Sequence, residues 1–343
     1  MVSLECDYNN GACPQILRRL METNQEALPG YGADRYTESA KAKIRAACGC
    51  PEASVELVAG GTQTNSLVIS TLLREHEGVV AAATGHISSH EAGAIEYTGH
   101  KVLELPGIDG KLPASELRSF LEGFHADANR EHMVWPGMVY ISYPTEYGTL
   151  YAKAELEALA GICREYGIPL YLDGARLGYG LMSPEADVTL EDIAALCEVF
   201  YIGGTKMGAL CGEAVVFSRI PEPPHFVNAL KKRGALLAKG RLLGVQFDTL
   251  FTDGLYFRLG MQGIRSAERL KAILREKGIP FFLETPTNQQ FIVLENTQLE
   301  KLNEAVSSSF WERAGTQHTV VRLATSWATT EEDLNALEDA LNR

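Results

Sequence analysis

The sequence contains no apolar run near the roughly 18 residues that a membrane span needs. Its beginning, MVSLECDYNN, has neither the basic nor the apolar segment of a secretory signal peptide. Lysine and arginine number 31 against 44 aspartates and glutamates, and the formal net charge of −13 argues against sequence-independent binding to nucleic acid. We therefore expect a cytoplasmic protein whose partner is a small molecule, without nucleic acid or membrane.

Cysteine is scarce and irregularly spaced. The seven cysteines, an odd number, lie at positions 6, 13, 48, 50, 163, 197 and 211, which is not the pattern of a disulfide framework. Cys48 and Cys50 form the one close pair, and no second pair or nearby histidine cluster completes four zinc ligands. We expect reduced thiols and no bound metal.

Strand-like and helix-like segments alternate from about residue 54, which is the pattern of βαβ units. The strand-like segments, among them VVAAAT, MVYISYP, PLYLDG and VFYIGG, are apolar on both faces, as in a parallel sheet covered by helices on both sides. Between them the pattern predicts a helix from about Ser89 and another over residues 153–166. This is an α/β protein.

The pattern changes after the loop PEPP at residues 221–224. A mostly helical stretch runs to about Lys277, and PFFLE, QQFIVLE and TVVRLATSW are then strand-like, with helices around residues 299–306 and 331–342. The sequence therefore predicts an N-terminal arm and large domain over residues 1–245, followed by a connecting helix and a smaller α+β domain over residues 246–343.

Four short segments that follow predicted strands hold the side chains suited to chemistry. They are GGTQTN (60–65), TGHISSHE (84–91), DGAR (173–176) and GGTK (203–206). Ligands of open α/β sheets bind beyond the carboxyl ends of the strands, so these segments are expected near one site. GGTQTN opens a helix and could bind a phosphate, although a plain turn is an equal alternative and neither common nucleotide motif is present.

A lysine and an aspartate end neighbouring strands of this arrangement. Lys206 follows a buried strand, where desolvation lowers the pKa of an amine, although it could instead extend to water. Asp173 ends a strand 33 residues upstream, so the two can share one crevice. Spacing alone leaves open whether Asp173 faces the lysine or pairs with Arg176.

One cofactor, pyridoxal 5'-phosphate, would account for all four segments. It needs a lysine for its aldehyde, a carboxylate for its pyridinium nitrogen and a helix N-terminus for its phosphate. A ring on the face of the pyridine completes such a site, and His86 is placed to supply it. The alternative for His86 is a hydrogen-bonded core histidine.

The same segments carry a resemblance to a known family. The chain resembles the low-specificity L-threonine aldolases, in the β-eliminating lyase group of fold type I pyridoxal-phosphate enzymes. The resemblance covers nearly the whole chain, from DYNNGACPQIL and YGADRYTESA through GGTQTN, GHISSHEAGAIE, TEYGTLY, DGARL, GGTKMGAL and GEAVVF to LLAKGRLLG and VRLATSWATT. It implies a transferase-like fold with a mostly parallel sheet between helices and a smaller C-terminal domain.

The resemblance implies a lyase that cleaves a carbon–carbon bond of β-hydroxy-α-amino acids, giving glycine and acetaldehyde from L-threonine or L-allo-threonine. Within the same fold, the alternatives are β-elimination or amino transfer on another amino acid. A scaffold that binds ligand without turnover is a third reading.

Residue roles follow from the resemblance position by position. Lys206 would form the Schiff base, Asp173 would pair with the ring nitrogen and His86 would stack on the ring. Gly61 and Thr62 would bind the phosphate.

The resemblance also assigns the substrate contacts. Arg176, which would contact the cofactor too, and Arg322 from the smaller domain would bind the substrate carboxylate, a task that suits guanidinium geometry. His90, His86 or an ordered water could act as general base, and the sequence does not decide among them.

The family's active site lies at a dimer interface, so the resemblance implies a homodimer or homotetramer. A partner chain would contribute Tyr31, Asp34, Lys239 and Arg241. Lys239 is also the alternative Schiff-base lysine, but its AKGRLLG context is helical.

The chain departs from the family pattern in two places. Many members have a second active-site histidine on the strand that here reads ISYPTEYG (141–148), where Thr145 or Glu146 stands instead. Many also have asparagine after the lysine, where this chain has Met207.

Overall fold

A computed structural model describes residues 2–342 of the chain. The strands, in chain order, are β1 (Val2–Ser3), β2 (Ser54–Val58), β3 (Glu77–Ala82), β4 (Val102–Leu105), β5 (Trp135–Ser142), β6 (Leu170–Asp173), β7 (Val199–Gly203), β8 (Glu213–Phe217), β9 (Phe281–Leu283), β10 (Gln289–Glu295), β11 (Val306–Ser307), β12 (Ser309–Ala314) and β13 (His318–Ala324).

The α-helices connect and cover these strands. In chain order they are α1 (Pro14–Thr23), α2 (Arg35–Ala47), α3 (Gly61–Leu72), α4 (His86–Ser89), α5 (Ala114–Ala126), α6 (Lys153–Tyr166), α7 (Leu177–Leu181), α8 (Leu190–Leu196), α9 (Phe226–Lys232), α10 (Arg241–Leu250), α11 (Leu255–Glu276), α12 (Asn296–Leu302) and α13 (Glu331–Leu341). None of these helices is both long enough and apolar enough to cross a membrane.

The large sheet has seven strands in the order β2-β8-β7-β6-β5-β3-β4. β8 runs antiparallel to both of its neighbours, and the other pairs are parallel. The predicted mostly parallel sheet is therefore confirmed. The carboxyl ends of β3, β5, β6 and β7 consequently lie along one edge.

Alternate residues of the central strands enter two separate apolar clusters. Leu170 and Leu172 of β6 belong to one cluster, whereas Tyr171 between them belongs to the other. Because successive side chains of a strand point to opposite faces, the clusters lie on the two sides of the sheet. Both faces are dry, which explains the continuous apolar strand sequences.

The smaller sheet is antiparallel, in the order β12-β13-β10-β9. Leu270 and Ile273 of α11 pack with Ile292 and Val321 in a core of its own, which Leu4 from the start of the chain also enters. The parallel pairing of β1 with β11 fixes this arm to the smaller domain. The predicted division after residue 245 falls within α10 and stays a prediction.

The predicted helix from about Ser89 is wrong, whereas the helix over residues 153–166 is confirmed as α6. α4 ends at Ser89, and Ala92 and Gly93 have positive φ angles of 51° and 74°. A right-handed helix cannot continue through two such residues. The sequence reading also missed β12, a short strand in which polar and aromatic residues are mixed.

We expect Gly260→Ala to lower the free energy of unfolding by about 1–3 kcal/mol in urea denaturation. Gly260 lies where α11 meets α7, and a Cβ there would clash with the carbonyl oxygen of Gly178, a backbone atom that cannot rotate away. Gly161→Ala in α6 is the control, because an added Cβ has no neighbour within 4 Å. Alanine favours helix there, so that variant should be unchanged or more stable by up to about 1 kcal/mol. Equal behaviour of the two variants would contradict the packing argument.

Candidate active site

A cavity of about 340 Å³ lies at the carboxyl edge of the large sheet, where the smaller domain and the N-terminal arm meet it. Residues that follow β3, β5, β6 and β7 form one part of its wall, and residues of β12 and β13 form another. The lining residues are Tyr8, His86, His90, Glu146, Arg176, Lys206, Ser309, Phe310, Trp311 and Arg322.

Lys206 lies in the short turn after β7. Burial lowers the pKa of its ammonium group and Arg176 adds to this effect, while Asp7 and Asp173 oppose it only in part. Its Nζ lies 5.7 Å from the centroid of the Tyr8 ring. A larger fraction of this amine is therefore neutral at physiological pH than for an exposed lysine, as a nucleophile requires.

Glu213, at the start of β8, fixes the turn that carries Lys206. Its Oε2 accepts a hydrogen bond from the Gly204 N–H at 3.1 Å, and its Oε1 accepts one from the Thr205 hydroxyl at 2.8 Å. Burial raises the pKa of Glu213 to about 8, against the opposing effects of Thr205 and Lys206. The turn that carries Lys206 is thus held by a carboxyl group whose pKa lies well above its usual range.

Asp173 ends β6, on the strand next to that of Lys206, and is buried. Its Oδ2 accepts hydrogen bonds from the Tyr140 hydroxyl at 2.6 Å and from the Asn65 amide at 3.0 Å. Burial acts to raise the pKa of Asp173, but His86 and the hydrogen bonds outweigh it and leave the pKa below its usual value. Asp173 is therefore an ionised carboxylate held in a dry environment.

Two histidines with opposite pKa shifts line the cavity. Burial acts against the charged form of His86, but the hydrogen bond to Glu91 and the charge of Asp173 raise its pKa overall; Nδ1 lies 2.9 Å from the Glu91 Oε1. Burial, then His86 and Arg322, lower the pKa of His90, whose ring centroid is 5.8 Å from that of His86. Of the two, His90 is the better proton acceptor at neutral pH.

Arg176 is paired with Asp7 and not with Asp173. Its Nε and a terminal nitrogen donate to the two carboxylate oxygens of Asp7 at 2.7 Å and 3.0 Å. Asn288 of the smaller domain donates to the same carboxylate at 2.9 Å. Burial acts to raise the pKa of Asp7, but Arg176 and Lys206 hold it at about 2.

Arg322 lies on β13, and not all of its hydrogen-bond donors have a partner. It donates to the Gln289 Oε1 at 3.0 Å and to the Glu5 carbonyl at 3.2 Å, yet its Nε and the Gln289 Nε2 are buried without a partner. Burial, followed by the charge of Arg176, lowers the pKa of Arg322. Unpaired buried donors are costly. The accessible part of the Arg322 guanidinium lines the cavity, where it can bind a carboxylate.

Aromatic side chains form the β12 part of the wall. Trp311 packs edge-on against Phe291 and Tyr147, with ring centroids 4.7 Å and 5.2 Å away. It also lies parallel to the His90 ring at 6.4 Å. Phe310 beside it is 61% exposed. This wall is mainly apolar, unlike the charged wall at the strand ends.

Gly61 and Thr62 begin α3 and do not line the cavity. Asn65, one helical turn further along α3, donates to Asp173, so the start of the helix lies close to the same edge. A Cβ on Gly61 would lie 3.1 Å from the Tyr201 hydroxyl, which leaves little room for a larger residue.

These residues fit pyridoxal phosphate, because a lysine with a lowered pKa, an ionised carboxylate, an imidazole and a helix N-terminus lie at one edge of the sheet. Across residues 2–342, no group of three or more histidine, cysteine, aspartate or glutamate residues is arranged to hold a metal ion.

Comparison with known proteins assigns the family. The family model for β-eliminating lyases matches residues 4–281. The chain belongs to the β-eliminating lyase family. The resemblance read from its sequence motifs is confirmed.

Individual proteins are similar to this chain over most of its length. The low-specificity L-threonine aldolase of Pseudomonas sp. strain NCIMB 10558 is 28% identical over 302 residues, which cover 86% of this chain and 85% of that protein. A solved structure of Leishmania major threonine aldolase is 42% identical, with a TM-score of 0.96, covering 100% of this chain and 99% of that one. The aromatic aminotransferase of Pyrococcus horikoshii, 16% identical with a TM-score of 0.72 and covering 100% and 95%, shares the fold alone. The predicted fold type I architecture is confirmed.

The residues predicted to serve a partner chain's site lie away from the cavity of this β-eliminating lyase. Asp34 caps α2, and Arg241 donates to two main-chain carbonyls of its own chain. Tyr31 is exposed and lies against Lys231, and Lys239 is exposed just before α10. Their role toward a partner stays a prediction.

Sequence reading gave no role to several residues that build the site. Glu146 follows β5 and could have been found by the strand-end rule that found the others. Glu91 lies within a segment already selected, and Glu213 is a glutamate at the start of a buried strand. Asp7 and Trp311 come from distant parts of the chain and carry no local signal.

We expect Asp7→Asn to lower the free energy of unfolding at pH 7 by about 3 kcal/mol in urea denaturation, because it leaves the buried Arg176 without its counter-charge. The pKa of Asp7 is about 2, below its usual 3.8, so its stabilising effect is complete above pH 3.8 and is lost as the pH falls through about 2. The difference from the unmutated protein should therefore stay constant above pH 5. Asp339→Asn, at an exposed site in α13, should change stability by less than about 0.5 kcal/mol. An Asp7→Asn protein as stable as the unmutated one would show that the ion pair is dispensable.

Proposed function

We propose that this β-eliminating lyase catalyses the retro-aldol cleavage of β-hydroxy-α-amino acids, converting L-threonine or L-allo-threonine to glycine and acetaldehyde with pyridoxal phosphate as cofactor. The observation that carries the proposal is the placement of buried Lys206 and ionised Asp173 at neighbouring strand ends of one sheet edge, in a chain 42% identical over its full length to a threonine aldolase. β-Elimination and amino transfer remain the alternative, and no specific feature of the site favours them.

Five residues would hold the cofactor. The Lys206 amine would bond its aldehyde carbon, the Asp173 carboxylate would bind its ring nitrogen, and His86 would lie against its ring. The N–H groups of Gly61 and Thr62 at the start of α3 would bind its phosphate. When bound, pyridoxal phosphate withdraws the electron pair that remains on the substrate Cα after the bond to Cβ breaks.

The substrate carboxylate would lie against Arg322. Arg322 lines the cavity, and its guanidinium group would donate to the substrate carboxylate. Arg176 donates to Asp7 through Nε and one terminal nitrogen, so it would contact the substrate carboxylate with its other terminal nitrogen. The β-substituent would then lie toward the aromatic wall around Trp311, which has room for groups larger than the methyl of threonine.

The protonation states of His86 and His90 limit which of them can act as general base. The raised pKa of His86 and its hydrogen bond to Glu91 favour the charged imidazole, which cannot accept a proton. The lowered pKa of His90 favours the neutral form, but His90 is largely exposed and its Nδ1 lies 2.7 Å from the Ser89 hydroxyl.

We propose also that the protein acts in the cytoplasm as a homodimer or homotetramer with shared active sites. Free thiols at the described cysteines support the cytoplasmic location. Met21 and Tyr97, exposed by 80% and 89% in the single chain, support an apolar contact with another subunit. The residues proposed to reach the partner's site are Tyr31, Asp34, Lys239 and Arg241.

Protein loaded with pyridoxal phosphate should release acetaldehyde from L-threonine, measured as NADH oxidation in a coupled alcohol dehydrogenase assay. Lys206→Ala should abolish the release, because the cofactor then has no amine to bond. Lys153→Ala, at a surface lysine paired with Asp192, should leave the rate unchanged. Ammonia and a keto acid as products, without acetaldehyde, would instead favour β-elimination.

A further inference from the structure

Glu146 is a cavity-lining carboxyl group that none of the roles above uses. It follows β5 in the segment TEYG and lines the same cavity as Lys206 and His86. Its Oε1 accepts a hydrogen bond from the main-chain N–H of His86 at 2.9 Å and another from the Ser142 hydroxyl at 2.7 Å. These two bonds, from two different strand ends, fix the position of the carboxylate.

Its neighbour Thr145 is not an alternative. The Thr145 side chain is buried, its hydroxyl lies 2.6 Å from that of Thr149, and it does not line the cavity. Glu146, by contrast, is partly accessible from the cavity and forms no ion pair with a described residue. A largely buried carboxylate that has no ion-pair partner is costly in free energy. Its position beside the substrate space therefore indicates a functional role.

We infer that Glu146 is a catalytic residue that accepts the proton of the substrate's β-hydroxyl group. The inference rests on the proposed function and assigns the general base that the histidines left open. The proton passes from the β-oxygen to the carboxylate, the C–O bond becomes the aldehyde C=O, and the Cα–Cβ bond breaks with its electron pair passing to Cα. Glu146 gives the proton to solvent and Cα takes one up, so the overall reaction neither consumes nor releases a proton.

The surroundings of Glu146 favour this role. Burial raises its pKa, against the effect of the Ser142 hydrogen bond, which makes the carboxylate a stronger base than an exposed glutamate. The charge of Asp173 raises the pKa of Glu146 further, whereas the charge of His86 lowers it. The titratable groups that interact with it are His86, Tyr140, Tyr147, Tyr151, Asp173 and Arg176.

Glu146→Gln is the decisive variant, because the amide oxygen can still accept from His86 and Ser142 while the group can no longer take a proton. In the cofactor-loaded protein we expect kcat for acetaldehyde release from L-threonine to fall roughly 100-fold or more. Exchange of the glycine Cα proton for deuterium, followed by proton NMR, should stay within about threefold, because glycine has no β-hydroxyl and needs only the cofactor machinery. Glu157→Gln, at an exposed site on α6, is the matched control and should change neither rate.

The pH profile gives an independent measure. For the unmutated protein, kcat/KM should fall on acidification as Glu146 becomes protonated, at a pH above the range of an ordinary glutamate because its pKa is raised. The residual activity of Glu146→Gln should lack this acid limb. A variant that keeps more than a third of kcat, or that loses glycine exchange and cleavage equally, would overturn the inference while leaving the proposed function intact. If the unmutated protein exchanges the glycine proton but releases no acetaldehyde from either threonine isomer, the proposed function is overturned and the inference with it.

Discussion

The buried ion pair between Asp7 and Arg176 is the interaction on which the arrangement of the site depends. Arg176 follows β6 of the large sheet, Asp7 lies in the N-terminal arm, and Asn288 of the smaller domain binds the same carboxylate. Three separate parts of the chain are therefore joined at one desolvated point. The pair also neutralises one of the two guanidinium groups at the cavity, so Arg322 is left with charge to offer a ligand.

Burial shifts the pKa values of neighbouring acids and bases in opposite directions, and nearby charges and hydrogen bonds decide the net result. Burial lowers the pKa of Lys206 and raises that of Glu213, so the lysine is more easily neutralised and the glutamate more easily protonated. Asp173 is equally buried, yet the charge of His86, together with hydrogen bonds from Tyr140 and Asn65, keeps it ionised. The same buried sheet edge thus holds Lys206, an amine that loses its proton easily, and Asp173, a carboxylate that stays ionised. Different surroundings give the two groups different roles in acid–base chemistry.

The sequence was sufficient for the sheet and for the side chains at its strand ends, because both follow from local patterns. Lys206, Asp173 and His86 each come directly after an apolar strand, and parallel strands bring their carboxyl ends together. Asp7 could not be found in this way, because its partner lies 169 residues away in the chain. Trp311 lies on β12, whose mixed polar and aromatic sequence gives no strand signal. The helix predicted from Ser89 is absent because Ala92 and Gly93 adopt left-handed conformations, which the sequence pattern does not reveal.

β12 is an edge strand of the smaller sheet, hydrogen-bonded to β13 alone. It supplies Ser309, Phe310 and Trp311 to the cavity, whereas Lys206 and its neighbouring carboxylates come from the strand ends of the large sheet. Substitutions of Ser309 and Phe310 on this edge strand would change the cavity wall without altering the strands of the large sheet, whereas Trp311 also packs against the buried Phe291 of β10. The substrate range can therefore change during evolution while the residues at the strand ends of the large sheet stay the same. A combinatorial library confined to Ser309, Phe310 and Trp311 would vary the wall that faces the substrate and leave Lys206 and Asp173 unchanged.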